Sequence, residues 1–326
     1  MRIGFIGVGG IAGNYLSYLR RYPDVRITAV CEINPERAQK AAEAYGATVY
    51  QDHHRMLEEE QLDALFITVP PFAHTDQETL AAERGIPFFV AKPVALSLET
   101  ALRVLRTLRK YPVLTNVGYM WRHSDLTDAA RELIGDRPLG MVIGRVHVNT
   151  PGTPWWRVFC ESGGQIVEQA THLYDLARYF AGEVVAVHGW GGDRLNPLID
   201  FEDVATVNLR FENGVVGNIT STSLVRTGTY ALELIGHDYH LQLDYGRNRM
   251  VGHVGERWVE LEAKESGYGR QIERFLEAVR RNDPSPIRSD YLDGTKTLAV
   301  TLAANESLHT GEIVGVPRVE SLLEEG

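Results

Sequence analysis

Apolar and polar positions follow two different rhythms along this chain. From Ile3 to Ile6 a short apolar run reads as a strand covered on both faces. Glycines follow, and apolar residues return at Ile11, Tyr15, Leu16 and Leu19 with helical spacing. The couplet repeats. A strand over 26–31 precedes a helix over 35–45. A short strand falls at 48–50, and a strand over 64–69 precedes a helix over 74–84. A strand over 87–90 precedes a helix over 98–109, with Ser97 as its N-cap, and a strand over 113–117 closes the series. Strands alternating with amphipathic helices predict a parallel sheet with helices on both faces, a Rossmann-type α/β domain over 1–119.

After residue 119 the rhythm changes. A helix over 124–134 and a strand over 141–149 lead into an irregular stretch rich in Pro, Gly and Trp, then a helix over 168–180. Strands follow at 184–189, 204–211, 215–223, 230–235 and 240–245, with weaker ones around Met250 and Trp258. Asn213-Gly214 joins two of them with the signal of a type I′ hairpin. Strands without helices between them predict a large open antiparallel sheet, in an α+β domain over 120–326. Helices over 270–281 and 290–309 close the pattern, and the acidic end at Glu324 and Glu325 is expected to fray.

The joint between the first strand and its helix carries the first chemical signal. Gly7, Gly9 and Ala12 form G-x-G-x-x-A, in which Gly7 permits the turn, Gly9 lets backbone approach a pyrophosphate, and Ala12 packs closely on the strand. Bare N–H groups at Gly9, Gly10 and Ile11 and the positive end of the helix suit an anion. The second strand ends on Glu32, about 20 residues downstream, where a carboxylate accepts hydrogen bonds from ribose hydroxyls. It would repel a 2′-phosphate, which favours NAD over NADP; Arg37 is a candidate to rescue NADP binding but lies several residues on, in the next helix.

Composition narrows the classes. At 326 residues the chain can hold two domains, and a net charge of −10 argues against nucleic acid as the main partner. No apolar run nears the ~20 residues of a membrane helix. Met1-Arg2 runs straight into the first strand, which predicts no signal peptide. The two cysteines, Cys31 and Cys160, form no framework, so the expected compartment is the reducing cytoplasm. His53-His54 resembles a metal pair but has no cysteine or carboxylate constellation near it in sequence, so no metal is expected.

Four motifs, in order, resemble those of the glucose–fructose oxidoreductase / inositol dehydrogenase / rhizopine-catabolism (Gfo/Idh/MocA) family, and the resemblance covers nearly the whole chain. They are the glycine turn with Glu32; Ile67-Thr68-Val69-Pro70-Pro71-Phe72-Ala73-His74; Lys92-Pro93 after the fifth strand; and the run from Gly163-Gly164 through Glu168 and His172 to Asp175. The resemblance implies cofactor contacts at Thr68, Val69, Pro70, His74 and Lys92. It also implies a catalytic lysine at Lys92 and a catalytic histidine at His172, with Glu168 beside it. Two departures stand out: Ala91 replaces the family's usual glutamate before Lys-Pro, and Pro71 replaces a frequent asparagine.

The residues themselves leave several choices open. Lys92 sits at the strand end where open α/β sheets bind ligands, and Pro93 holds it extended; it serves either the reaction or solvent. Glu168 and His172 share one helical face, extended by Asp175, as a general base and its orienting acid would. Equally, His172 could be a buried, satisfied histidine and Glu168 a helix N-terminal charge. The double glycine would let the chain pass close to cofactor or substrate. Trp155-Trp156-Arg157 reads as a sugar-pocket wall, a packing element or a subunit contact, and His74 as a cofactor neighbour or a helix-start polar group. Arg122, Trp156, Arg157 and Asp175 are the substrate candidates.

Together these features predict an NAD-dependent oxidoreductase. It would move a hydride between nicotinamide and a carbinol or carbonyl carbon of a sugar, an inositol-like polyol or a related small metabolite, bound in a cleft between the domains. The resemblance further implies a homodimer or homotetramer formed through the antiparallel sheet. The alternatives are a non-catalytic dinucleotide-binding sensor on the same fold and an NAD-assisted glycoside hydrolase.

Overall fold

The computed structural model describes residues Met1–Glu324; the expectation for Glu325 lies outside the described residues. The chain forms two compact units, one made of Met1–Gly118 with Tyr268–Gly294, the other of Tyr119–Gly267 with Thr295–Glu324.

The first unit is built on a six-stranded parallel sheet in the order β3-β2-β1-β4-β5-β6. Its strands are β1 (Arg2–Ile6), β2 (Arg26–Cys31), β3 (Thr48–Tyr50), β4 (Ala64–Ile67), β5 (Phe88–Val90) and β6 (Thr115–Val117). The helices are α1 (Gly10–Leu19), α2 (Pro35–Tyr45), α3 (His53–Glu59), α4 (Gln77–Glu83) and α5 (Leu98–Lys110). Ser97 caps α5 as expected, its side chain accepting from the Thr100 N–H. The interior is a ladder of rings: Phe5, Phe66 and Phe89 occupy matching positions on three adjacent strands, stacked at 4.9 Å and 14° at both steps. Tyr15 from α1 meets Phe89 edge-on at 4.9 Å.

That ladder corrects the expected domain boundary. Helix α9 (Tyr268–Arg281) lays Phe275 edge-on against Phe66 and Phe89 at 5.6 and 5.7 Å, and buries Ile272 and Leu276 in the same cluster. Each such aromatic pair contributes roughly 0.5–1.5 kcal/mol beyond area burial. A segment near the C-terminal end of the chain therefore belongs with the first unit, and no single cut after residue 119 divides the fold.

The second unit carries a nine-stranded sheet in the order β14-β13-β12-β11-β7-β10-β9-β8-β15. In chain order the elements are α6 (Asp125–Ile134), β7 (Leu139–Asn149), α7 (Phe159–Ser162), α8 (Thr171–Ala181), β8 (Val184–Gly192), β9 (Val204–Phe211), β10 (Val216–Thr222) and β11 (Leu224–Gly236). Then come β12 (Tyr239–Asp244), β13 (Arg249–Val254), β14 (Arg257–Glu262), most of α10 (Tyr291–Thr310), β15 (Val314–Gly315) and α11 (Val319–Glu324). The sheet is antiparallel except at one seam, where β7 and β10 run parallel. The reason is connectivity: β7 is laid down before α8, and the β8–β9–β10 meander returns to lie beside it in the same sense.

The hairpin at Asn213-Gly214 exists, but its turn is not type I′. That turn needs positive φ at both central residues, and Asn213 is not among the positive-φ residues while Gly214 has φ +88°. Phe211 N–H donates to Val215 O (3.0 Å) and Gly214 N–H to Phe211 O (3.2 Å), a three-residue loop ending in a left-handed glycine. Asn213 is held otherwise: its amide donates to Ala181 O at 2.8 Å and its carbonyl accepts from Val215 N–H.

Candidate functional site

In the first unit the β1–α1 turn is built as a cradle. Gly7 has φ +84°, and a Cβ there would lie 2.8 Å from the Thr68 carbonyl oxygen, so backbone conformation and close strand approach both demand glycine. Its N–H donates to Cys31 O at 2.8 Å, and its carbonyl accepts from the Thr68 hydroxyl at 2.6 Å. Gly9 caps α1 without a side chain, and a Cβ on Gly9 or Gly10 would meet nothing within 4 Å. The N-terminus of the helix thus opens at Gly9 and Gly10 on space free of protein atoms, which fits a pyrophosphate.

Glu32 completes the cradle. It is only 8% exposed, and its two oxygens accept from the backbone N–H groups of Val8 (3.0 Å) and Asn34 (2.9 Å). These bonds lock the carboxylate beside the glycine turn. Each oxygen keeps a lone pair for a ribose hydroxyl, while the fixed negative charge disfavours a 2′-phosphate.

The other positions expected near a cofactor separate. Thr68 directs its hydroxyl to Gly7 O, so it shapes the turn through its side chain; Val69 and Pro70 follow, half-buried, at the end of β4. His74 does not begin a helix. It lies between a 3-10 turn at Pro71–Ala73 and α4, with Nδ1 2.5 Å from Glu78 Oε1, in a pair whose side chains are almost wholly buried. Lys92 lies two residues past the end of β5, half-buried, before a cis bond to Pro93. Ala91 is buried, and its N–H donates to Ile67 O.

In the second unit His172 stands in the first turn of α8, 7% exposed and set against rings. Tyr119 meets it edge-on at 5.9 Å and Trp121 at 4.9 Å. Trp121 in turn stacks on Tyr245 (5.0 Å) and tilts against Tyr230 (4.9 Å). Tyr230 OH accepts from the Gln169 amide, Tyr119 OH meets Thr171 Oγ1 at 3.0 Å, and Tyr245 OH meets Thr127 Oγ1 at 2.8 Å. Burial pushes both Tyr119 and Tyr245 far above the ordinary phenol range, so they act as neutral walls. This aromatic surround was missed from sequence. The signal available was Tyr119 and Trp121 flanking Met120 just past the last parallel strand.

Glu168 lies in a π-helical turn, Ile166–Ala170, that leads into α8. Its Oε2 accepts from the Trp156 indole N–H at 2.7 Å. Trp156 is 2% exposed and packs edge-on against Phe201 at 5.2 Å. Trp155 and Arg157 stay half-buried on the same 3-10 turn, with Arg157 Nε donating to Pro151 O. Gly163 and Gly164, both left-handed, form the corner between α7 and the π turn, and a Cβ on Gly164 would press on Phe159 and Phe201. The double glycine thus answers a local packing need.

Arg122 and Asp175, both substrate candidates, form an ion pair with each other. Nε and Nη2 of Arg122 reach the two carboxylate oxygens at 2.8 and 2.6 Å, with both side chains almost fully buried. Tyr179 lies 4.8 Å beneath the guanidinium and Thr297 adds a bond to Asp175. A bidentate pair of this kind fixes the turn of α8 after His172.

The sequence matches the description "Oxidoreductase family, NAD-binding Rossmann fold" over residues 1–119 and "GFO/IDH/MocA C-terminal domain" over 127–242. The chain belongs to the GFO/IDH/MocA oxidoreductase family. It is an NAD-dependent oxidoreductase. Among its relatives are a scyllo-inositol 2-dehydrogenase (NAD(+)) of Bacillus subtilis, 27% identical over 95% of both chains, and a myo-inositol 2-dehydrogenase of Thermotoga maritima, 25% identical over 98% of this chain and 99% of that one. A similar fold is seen in the WlbA dehydrogenase of Bordetella pertussis, solved with NADH and UDP-GlcNAcA, at TM-score 0.84 and 23% identity over 98% of this chain and 99% of that one. Among the described residues no helix is long and apolar enough to cross a membrane.

Proposed function

We propose that this protein is a dehydrogenase of a polyol or sugar, with Lys92, His172 and Glu168 handling the proton of the reacting hydroxyl. When bound, NAD supplies the hydride acceptor or donor. His172 accepts the hydroxyl proton in the oxidative direction and returns it in the reductive one. Lys92 donates a hydrogen bond to the substrate oxygen and offsets negative charge that develops there. Glu168, held by the Trp156 N–H, orients the groups next to it in the turn before α8. Tyr119 and Trp121 limit water at the imidazole and offer aromatic faces of the kind that suit sugar C–H surfaces.

The observation that carries this reading is His172 seated among rings, one turn after Glu168, in a chain that belongs to an NAD-dependent oxidoreductase family. Inositol-oxidising relatives support a cyclic polyol as the first substrate class to try. The second unit, Tyr119–Gly267 with Thr295–Glu324, is assigned to substrate binding and to association of identical chains through the open sheet, and the compartment to the cytoplasm.

The test is a panel of inositols, sugars and sugar acids with NAD⁺ and NADP⁺ in parallel, read by absorbance of the reduced nicotinamide. Turnover with NAD⁺, strongly reduced in both Lys92→Ala and His172→Ala while calorimetric NAD⁺ binding persists, is the expected result. Dinucleotide binding with no substrate oxidised anywhere in the panel would favour a sensor, and release of a glycosidic alcohol without net NADH would favour a hydrolase.

A further inference from the structure

The chain also builds a cluster apart from the residues proposed to handle the substrate proton. At the start of α3, Asp52, His53 and His54 place one donor atom each within 4.8 Å of one another. Read from sequence, the histidine pair lacked further carboxylates. The fold supplies one from 22 residues away: Asp76, at the start of α4, sets Oδ1 2.8 Å from His53 Nε2 and Oδ2 3.2 Å from His54 Nε2. The two imidazole rings lie 4.5 Å apart and tilted by 36°.

Asp76 is the second, independent observation. It occupies the N-cap position of α4, where an aspartate normally accepts from the helix's own N–H groups, yet its side chain makes no capping bond. Its carboxylate turns to the two imidazoles instead. With Nε2 facing the carboxylate, each imidazole has Nδ1 on its opposite edge, where a neutral ring presents a lone pair. That is the outer-shell arrangement that orients histidine ligands toward a metal.

We infer that Asp52, His53 and His54 form a site for a divalent transition cation of the zinc class, oriented by Asp76. Two imidazole nitrogens and a carboxylate oxygen are the donors such a cation takes. Tetrahedral ligand atoms sit about 3.4 Å apart, so these side chains must close by roughly 1 Å. They are able to, because His54 and Asp52 are exposed and only His53 is partly buried. Water fills the remaining positions. Asp52 keeps its bond to the His54 N–H at 2.9 Å through one oxygen, which leaves the other for the cation. The site does not rest on the proposed substrate or on turnover.

The experiment is calorimetric titration of untagged, chelator-stripped full-length protein with zinc chloride alone, accompanied by thermal unfolding. Wild type should take up one equivalent tightly and unfold at higher temperature with zinc. His53→Ala/His54→Ala should lose that equivalent and the thermal shift, and Asp76→Asn should bind 10–100-fold more weakly. Should the double variant fail to fold by circular dichroism, His54→Ala replaces it, since that side chain is half exposed. No uptake by wild type, or the same uptake by wild type and the histidine variant, overturns the site.

Discussion

Residues that belong to chemistry and residues that belong to structure separate by what their polar atoms touch. Trp156 and Glu168 illustrate it. The tryptophan is fully packed, yet its one polar atom is aimed at Glu168, the carboxylate one turn before His172. Trp156→Phe keeps the ring and removes the N–H. A hydrogen bond to a charged acceptor contributes about 1.5–3 kcal/mol, so kcat/KM should fall about 10–100-fold with NAD⁺ affinity unchanged. Steady-state kinetics with calorimetric NAD⁺ binding checks this, and an unaltered kcat/KM would remove Glu168 from the reaction. The cysteines make a second residue-scale case. Burial, with Asp52 and Glu32 nearby, pushes the Cys31 thiol up to about 12, whereas Cys160 is exposed. An aromatic disulfide reagent at pH 8 should therefore titrate a single thiol in native protein and both after denaturation. At this scale Gly7, Glu32 and the Glu168/His172 spacing were legible because the chemistry is local. The Arg122–Asp175 pair was not, since nothing in either neighbourhood says that two residues 53 apart will meet.

At the scale of elements, the glycine turn makes two opposite demands within three residues. Gly7 is needed by the fold, Gly9 is proposed to be needed by the ligand, and the two separate experimentally. Gly7→Ala must force a left-handed φ and press Cβ on the Thr68 backbone. It should destabilise the protein by about 1–3 kcal/mol, seen as a lower urea midpoint. Gly9→Ala adds a methyl where no protein atom lies within 4 Å. Its stability should change by less than about 0.5 kcal/mol while NAD⁺ affinity drops at least tenfold, read by calorimetry. Destabilisation by the second variant, or undisturbed NAD⁺ binding, would break the distinction. Helix and strand existence was largely readable from periodicity, because the parallel strands are short apolar runs and α5 and α9 are strongly amphipathic. What periodicity cannot carry is which sheet an amphipathic helix will cover. The apolar stripe of α9 specified burial, and only the ring ladder Phe5–Phe66–Phe89 specified where. The π turn before α8 was likewise invisible, since a one-residue widening leaves the apolar spacing nearly intact.

At the scale of the molecule, the nine-stranded sheet has one face that its own unit buries and one that it does not. Val142, Val146, Ile219, Leu232, Leu234 and Leu241 point inward with almost no exposure. On the opposite face the strand registers align a row running Trp258, His253, His240, Ile235, Met141, Val216 and Arg210. Within it Trp258, Met141 and Val216 are 65%, 40% and 46% exposed. Around that row lie polar pairs with their bonds already made: Asn218 with Asn208 at 2.8 Å, and Arg145 and His240 on Glu233 at 2.7 and 2.8 Å. An apolar centre with a satisfied polar surround is how protein interfaces are composed, and no strand order read from sequence could have assembled it. The proposed association of identical chains belongs on this face. Met141→Asp/Val216→Asp places two charges side by side at its middle without touching the inward residues, so the fold should persist while the oligomer dissociates. Light scattering behind size exclusion should find wild type as a dimer or tetramer at micromolar concentration and the variant as a monomer with unchanged circular dichroism. A wild-type monomer, or an oligomer indifferent to both charges, would remove this face from the assembly and leave its exposed tryptophan and methionine to another role.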